Sequence, residues 1–311
     1  YMNYIEPINQ TQLFGLDRFI NEFIDLKNND NLPNKILLSG YKGIGKSTLA
    51  YHLINYILSK KEKFSYDANK FKINIENQSF KTTINKSNPN LAVLDIDQDK
   101  KFIDIDQIRT LIRNLNKSSF NDKPRFVLID NIELLNVNST NALLKILEEP
   151  SLNVFFILIN NNKNILRTLV SRCTNFKIKL TNQECLEISN NLVEGNLSEK
   201  INMNLINYYS TPGNIYNLYK FAEKNKYDLS NLNLKELLKI IIINKHYKDD
   251  VYIKYLIYDF IEFYLRQINS NFSFQLYNKH SYFLKKISET KKFNLYEDSL
   301  FLEFEEEMLN G

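Results

Sequence analysis

The stretch Gly40-Tyr-Lys-Gly43-Ile44-Gly45-Lys46-Ser47-Thr48 contains the pattern G-x-x-x-x-G-K-[ST], a spacing suited to holding phosphate groups. Glycines let successive backbone N–H groups turn inward around phosphate oxygens. A lysine after them reaches the terminal phosphates, and the hydroxyl that follows can ligate Mg²⁺. The chain has only 7 glycines in 311 residues, and three of them fall in this loop, so chance is a weak explanation. Gly40, Gly43, Ile44, Gly45, Lys46, Ser47 and Thr48 are therefore expected to bind a nucleotide, taken as ATP. A second segment, Arg125-Phe-Val-Leu-Ile-Asp130, is an apolar run ending in a carboxylate that could hold the Mg²⁺ shell. Ser47 and Asp130 are thus the expected metal contacts, made through the nucleotide.

The residue after Asp130 is Asn131. An amide cannot take a proton from an attacking water, and Glu133 is off register unless the loop bends. Nucleotide binding is expected, with poor turnover.

These residues need a frame. Lys35 to Ser39 reads as a strand, and Ser47 to Leu58 has helical spacing through Leu49, Leu53, Ile54 and Ile57. Leu91 to Ile96, Phe126 to Ile129 and Val154 to Ile159 are further apolar runs of strand length. Helical patterns at Ile105 to Leu115 and Ser139 to Leu147 separate them. Apolar strands alternating with helices predict a parallel sheet covered on both faces. The polar residues 60–90 read as an insertion, with a small strand pair suggested by Phe71, Ile73 and Ile75. After Leu180 strand signals stop. Short helices are expected at Gln183 to Val193 and Ile201 to Tyr209, and another after Ser210-Thr-Pro-Gly213. Leu232 to Asn269 and Phe274 to Leu309 read as longer amphipathic helices.

Composition excludes disorder as the main state, at 43% hydrophobic and 24% charged. Two cysteines, Cys173 and Cys185, are too few for a disulfide framework or a zinc module. No secretory signal and no membrane span is read, so the expectation is cytoplasmic. Residues 1–180 carry 25 Lys+Arg against 18 Asp+Glu, and residues 181–311 carry 15 against 18. That modest excess suits phosphate ligands but falls short of a dedicated DNA-binding domain. Arginine is scarce, 7 in all, which draws attention to Arg172 and to the pair Arg109 and Arg113. His52, His246 and His280 fit no acid–histidine–nucleophile pattern.

Further on come Asn138-Ser-Thr-Asn-Ala-Leu-Leu-Lys-Ile-Leu-Glu-Glu-Pro150, the strand ending at Asn160, and Ser171-Arg172-Cys173. In this order, and over roughly residues 5–225, the chain resembles the clamp-loader ATPases of the AAA+ class. Leu13-Phe14-Gly15, Leu32-Pro33-Asn34 and the Ser210-to-Gly213 turn fit the delta-prime branch of that family best. The motor branch, gamma/tau, would show an acid at 131, four cysteines in the insertion and an arginine at 214; here stand Asn131, no cysteine and Asn214.

The resemblance implies an α/β P-loop AAA+ domain over 1–180 with the 60–90 insertion, a small helical lid over 181–228, and an all-α collar over 229–311. It implies that Arg172 acts as an arginine finger on a neighbouring subunit's ATP, although a surface or structural ion pair would also explain that residue. Asn160 matches the sensor-1 position, where a polar tip meets the γ-phosphate or water. The implied partners are gamma/tau and delta subunits, with the sliding clamp and primer-template DNA reached through the complex; no zinc and no membrane are expected. No polymerase site is present in the resemblance. The rival expectation is an autonomous ATPase, with Lys46, Ser47 and Asp130 performing turnover.

Overall fold

The computed structural model describes residues 6–96, 102–115, 121–149, 153–207, 210–268, 274–293 and 295–310. The chain divides into two compact units, one of residues 1–188 with 211–213, the other of 189–210 with 214–311.

In the first unit, helix α1 (Asp17–Asn28) leads to strand β1 (Lys35–Ser39) and helix α2 (Lys46–Ser59). Helix α3 (Gln78–Ile84), strand β2 (Leu91–Leu94), helix α4 (Ile105–Leu115) and strand β3 (Arg125–Ile129) follow. Then come α5 (Val137–Glu148), β4 (Val154–Asn160), α6 (Arg167–Val170), β5 (Thr174–Lys177) and α7 (Asn182–Leu192). The five strands form one sheet in the order β2-β3-β4-β1-β5, and every pair is parallel. Alternate side chains of a strand point to opposite faces. Ile36, Leu38, Phe126, Leu128, Ile157 and Ile159 join one core with α1 and α2. Leu37, Val127, Ile129, Phe156 and Leu158 join a second core with α4 and α5. This is the α/β sheet, covered on both faces, that the apolar runs predict.

Two departures lie in this unit. The strand pair expected around Phe71 is absent among the described residues. Phe71 takes a left-handed backbone (φ 50), which breaks the alternation, and only a single bridge joins Asp67 and Lys72. Instead Asn77 caps α3, its side chain accepting from the Phe80 amide at 2.6 Å. Strand β5 has no apolar signature because it is an exposed edge strand that pairs only with β1.

The second unit is helical. Beyond the end of α7 it contains α8 (Leu197–Lys200), most of α9 (Pro212–Asn225), α10 (Leu234–Ile243), α11 (His246–Asp249), α12 (Val251–Ile268), α13 (Phe274–Phe293) and α14 (Glu297–Phe304). Tyr247 and Phe301 meet at 4.7 Å and Phe283 and Phe304 at 5.1 Å between ring centroids, and Leu237, Ile241 and Ile257 are fully buried. The long stretch 232–269 is not one helix. Lys245 adopts a left-handed backbone (φ 53), and the Asp250 carboxylate captures the amides of Tyr252 and Ile253, starting a new helix. Similarly, the second long stretch is divided between α13 and α14. The helix expected from Ile201 shrinks to a 3-10 turn, Met203–Leu205, because Asn202 is held by the carbonyls of Leu229 and Leu232. Tyr208, Tyr209 and Asn269 lie outside the described residues. Among those described, no helix is long and apolar enough to cross a membrane.

Candidate functional site

The phosphate-type loop joins the C-terminal end of β1 to the first turn of α2. Gly45 caps that helix with a left-handed backbone (φ 92), which lets the chain turn from strand to helix. Gly213 closes the loop from behind. Its amide donates to the Gly43 carbonyl at 2.8 Å, and a side chain there would come within 2.9 Å of Gly43 Cα.

Lys46 is buried, and its Nζ donates to the Gly40 and Tyr41 carbonyls at 2.9 and 2.6 Å. Burial lowers its pKa to about 8, against the pull of Asp130 and Glu133. The Ser47 hydroxyl donates to Asp130 Oδ2 at 2.5 Å. Burial raises the Asp130 carboxyl above its ordinary range, and the Ser47 hydrogen bond opposes that rise. Ile44 and Leu49 pack beneath the loop, so the motif's apolar members anchor what its polar members present.

Beyond Asp130 the chain bends. Asn131 has a left-handed backbone (φ 55), and Ile132–Leu134 forms a 3-10 turn. Glu133 is thereby brought toward the loop, where its charge is felt by Lys46. Asn161 joins these residues: its Nδ2 donates to Asn131 Oδ1 at 2.8 Å and to Glu133 Oε1 at 2.9 Å. The Asn131 amide donates in turn to Asp95 Oδ1 at 2.8 Å.

Asn160, the polar tip expected to sense phosphate, is buried and engaged in its own turn. It donates to the Lys163 carbonyl at 3.0 Å and accepts from the Lys163 amide at 3.1 Å. Sequence reasoning missed Asn161 and Asp95. Nothing distinguishes Asn161 within the run Asn160-Asn-Asn162, whereas an acid just past a parallel strand was a usable signal, since such ends gather at one edge of the sheet.

Arg172 sits away from this cluster in sequence, just after α6. Its Nη2 pairs with Glu148 Oε1 at 2.5 Å and its Nη1 donates to the Thr168 carbonyl at 2.8 Å, with the arginine side chain 32% exposed. Pro150, at the end of the same motif, lies outside the described residues. Arg109 and Arg113 are exposed on α4 and bond to Asp106 and Thr110 of their own helix. Asn214 is the third residue of α9 and half-buried. Burial raises both thiols, Cys173 to about 11, which makes neither a ready nucleophile. His52 is buried between Tyr66 and the Gln10 carbonyl, and His246 bonds the Tyr227 hydroxyl.

The donors fit the expected ligand. A glycine-lined turn at a helix N-terminus, a lysine and hard oxygen donors from Ser47 and Asp130 suit a nucleotide phosphate with Mg²⁺, which takes few protein ligands and completes its shell with phosphate and water. No cluster of three or more His, Cys, Asp or Glu residues able to hold a metal occurs among the described residues.

The sequence profile of the family described as "DNA polymerase III, delta subunit" matches residues 15–182. DNA polymerase III subunit gamma/tau of Mycoplasma genitalium is 30% identical over 196 residues, covering 62% of this chain and 31% of that protein. DNA polymerase III subunit delta' of Pseudomonas aeruginosa is 32% identical over 138 residues, covering 44% and 40%. Each match thus spans less than half of the relative's length. Among solved structures, a gamma subunit-related protein from Thermotoga maritima superposes with a TM-score of 0.51 at 20% identity, covering 93% of this chain and 95% of that one, a likeness of fold.

Proposed function

The chain belongs to the DNA polymerase III delta-subunit family of clamp-loader proteins, and from that premise we propose that it is a delta-prime-like subunit that binds ATP with Mg²⁺ and hydrolyses it poorly. The observation that carries this reading is the Ser47–Asp130 hydrogen bond beside buried Lys46, which brings hydroxyl, carboxylate and ammonium together under a glycine turn. In this proposal Lys46 exchanges its loop carbonyls for phosphate oxygens, and Ser47 and Asp130 hold the metal shell. Bound Mg²⁺ would supply charge neutralisation between the phosphates. Gly40, Gly43, Ile44, Gly45 and Thr48 shape the turn. Asn131 supports poor turnover, because its amide is committed to Asp95 and Asn161 and has no basic lone pair for a water proton.

The proposal extends to assembly. Residues 181–228 serve as a lid and 229–311 as a collar for gamma/tau and delta partners, through which the sliding clamp and primed DNA are reached. Arg172 leaves Glu148 to act on a neighbour's ATP; an exposed ion pair of this kind is worth at most about 1 kcal/mol, so the exchange is inexpensive. Titration of the purified chain with a fluorescent ATP analogue, with and without Mg²⁺, tests the site. Size-exclusion of the chain with delta and gamma/tau subunits tests the assembly, which should elute as one stoichiometric complex. A second reading, an autonomous ATPase, is favoured by the bend that brings Glu133 toward Lys46. Brisk turnover by the isolated chain, abolished by Lys46→Ala, would decide for it.

A further inference from the structure

Residues 60–72 carry five lysines, Lys60, Lys61, Lys63, Lys70 and Lys72, against two acids, Glu62 and Asp67. All five lysines are exposed. Two successive turns share one stem. The Ser59 hydroxyl accepts from the Tyr66 amide at 3.0 Å, closing a turn that bears Lys60, Lys61 and Lys63. Asp67 and Lys72 then exchange backbone hydrogen bonds at 2.9 and 3.0 Å, closing a second turn that bears Lys70. The stem is rigid, because Tyr66 is buried with Ile73 and Phe80 and bonds His52.

Both acids are spent internally. Glu62 accepts from the Ser79 hydroxyl at 2.6 Å and from Lys123 at 2.8 Å, and Asp67 accepts from the amides of Asn69 and Lys70. Among the described residues, none of the five lysines is ion-paired with a carboxylate. Phe64 stands 40% exposed within the first turn, with the Lys63 ammonium 5.3 Å from its ring centroid.

We infer that this double turn is an interface for single-stranded nucleic acid. Uncompensated lysines on a fixed frame match a phosphate backbone, whose condensed counterions they release, and an exposed aromatic flanked by cations offers a face on which a base can stack. An acidic protein surface would also satisfy the lysines, and the salt dependence and the Phe64 variant tested below separate the two. The interface is separate from the phosphate loop, and binding does not require ATP.

The test uses the full chain and a fluorescein-labelled 25-mer of thymidylate, followed by anisotropy between 50 and 200 mM salt without nucleotide. The wild type should bind with a log–log salt slope of about −3.5, as expected for five phosphates on a single strand. Lys60→Glu with Lys61→Glu and Lys63→Glu should weaken binding at least tenfold and flatten the slope, and Phe64→Ala should weaken it several-fold without changing the slope. Lys224→Glu with Lys226→Glu and Lys245→Glu, an equal change of charge in the other unit, should leave binding within twofold. Circular dichroism confirms that each variant is folded. The inference is overturned by any of three results: no binding by the wild type at 50 mM salt, equal losses in the two triple variants, or preference for a 25-base-pair duplex that Phe64→Ala does not alter. Capture of an acidic protein with no oligonucleotide binding would overturn it as well.

Discussion

The side-chain amide of Asn161 donates to Asn131 Oδ1 at 2.8 Å, linking the residue after β4 to the one after Asp130. Asn131 passes the link on to Asp95, so the end of β2 joins the ends of β3 and β4 in one polar cluster. The residue after Asp130 thus presents a committed amide and no free carboxylate.

Replacing Asn131 by Glu alone should not raise ATP turnover, because the new carboxylate would face Asp95 across a hydrogen-bonding distance. Combining Asn131→Glu with Asp95→Asn removes that repulsion and leaves an acid able to take a proton. Turnover should then rise by about tenfold or more over the wild type, a modest share of what a positioned base supplies. Phosphate release by the isolated chain measures it, and a flat result in the double variant would count against Asn131 as the cause of the slow hydrolysis proposed above.

Lys46 should make nucleotide binding pH-dependent. Burial sets its pKa at about 8, so at pH 8.5 much of the ligand-free protein carries it neutral. A bound polyphosphate favours the ammonium, so binding takes up a proton and apparent affinity falls as pH rises through 8. Calorimetry at pH 8.5 in buffers of different ionisation heat should show that uptake, and Lys46→Ala should both lose it and weaken binding at least tenfold. Heats that do not depend on the buffer would exclude this role.

His52 should weaken the fold in acid. Burial lowers its pKa to about 4, below the ordinary value near 6.5. Between those values the unfolded chain binds more protons than the folded one, so stability falls as pH drops from 6.5 toward 4. The loss from this group is at most about 3 kcal/mol. Denaturant melts at pH 7 and pH 5 should show His52→Gln to be less stable at pH 7 but less sensitive to acid. An unchanged pH slope would assign the acid sensitivity to other groups.

Arg172→Ala should change the stability of the isolated chain by less than about 1 kcal/mol, since its ion pair with Glu148 is partly exposed. In a reconstituted complex the same variant should lower DNA- and clamp-stimulated ATPase by about tenfold or more while assembly persists. Glu148→Ala, which removes the ion pair and leaves Arg172 only its bond to the Thr168 carbonyl, should leave that activity intact. Equal loss in both variants would mean that the ion pair itself is what matters.

Elements whose chemistry is local are legible in the order of the residues. The glycine turn, Lys46 and Ser47 lie within one loop, and β1, β3 and β4 announce themselves because a strand buried on both faces must be continuously apolar. Contacts between segments remote in sequence arise only once the chain has folded. Strand β5 forms on Thr-Asn-Phe-Lys because β1 offers an open edge, and backbone pairing there needs no apolar signature. Ser47 meets Asp130 across 83 positions, and Asp95, Asn131, Glu133 and Asn161 meet because parallel strands bring their C-terminal ends to one edge of the sheet. The breaks at Lys245 and Asp250 likewise depend on competition between helix continuation and a side-chain cap, a balance of about 1 kcal/mol that apolar periodicity does not register.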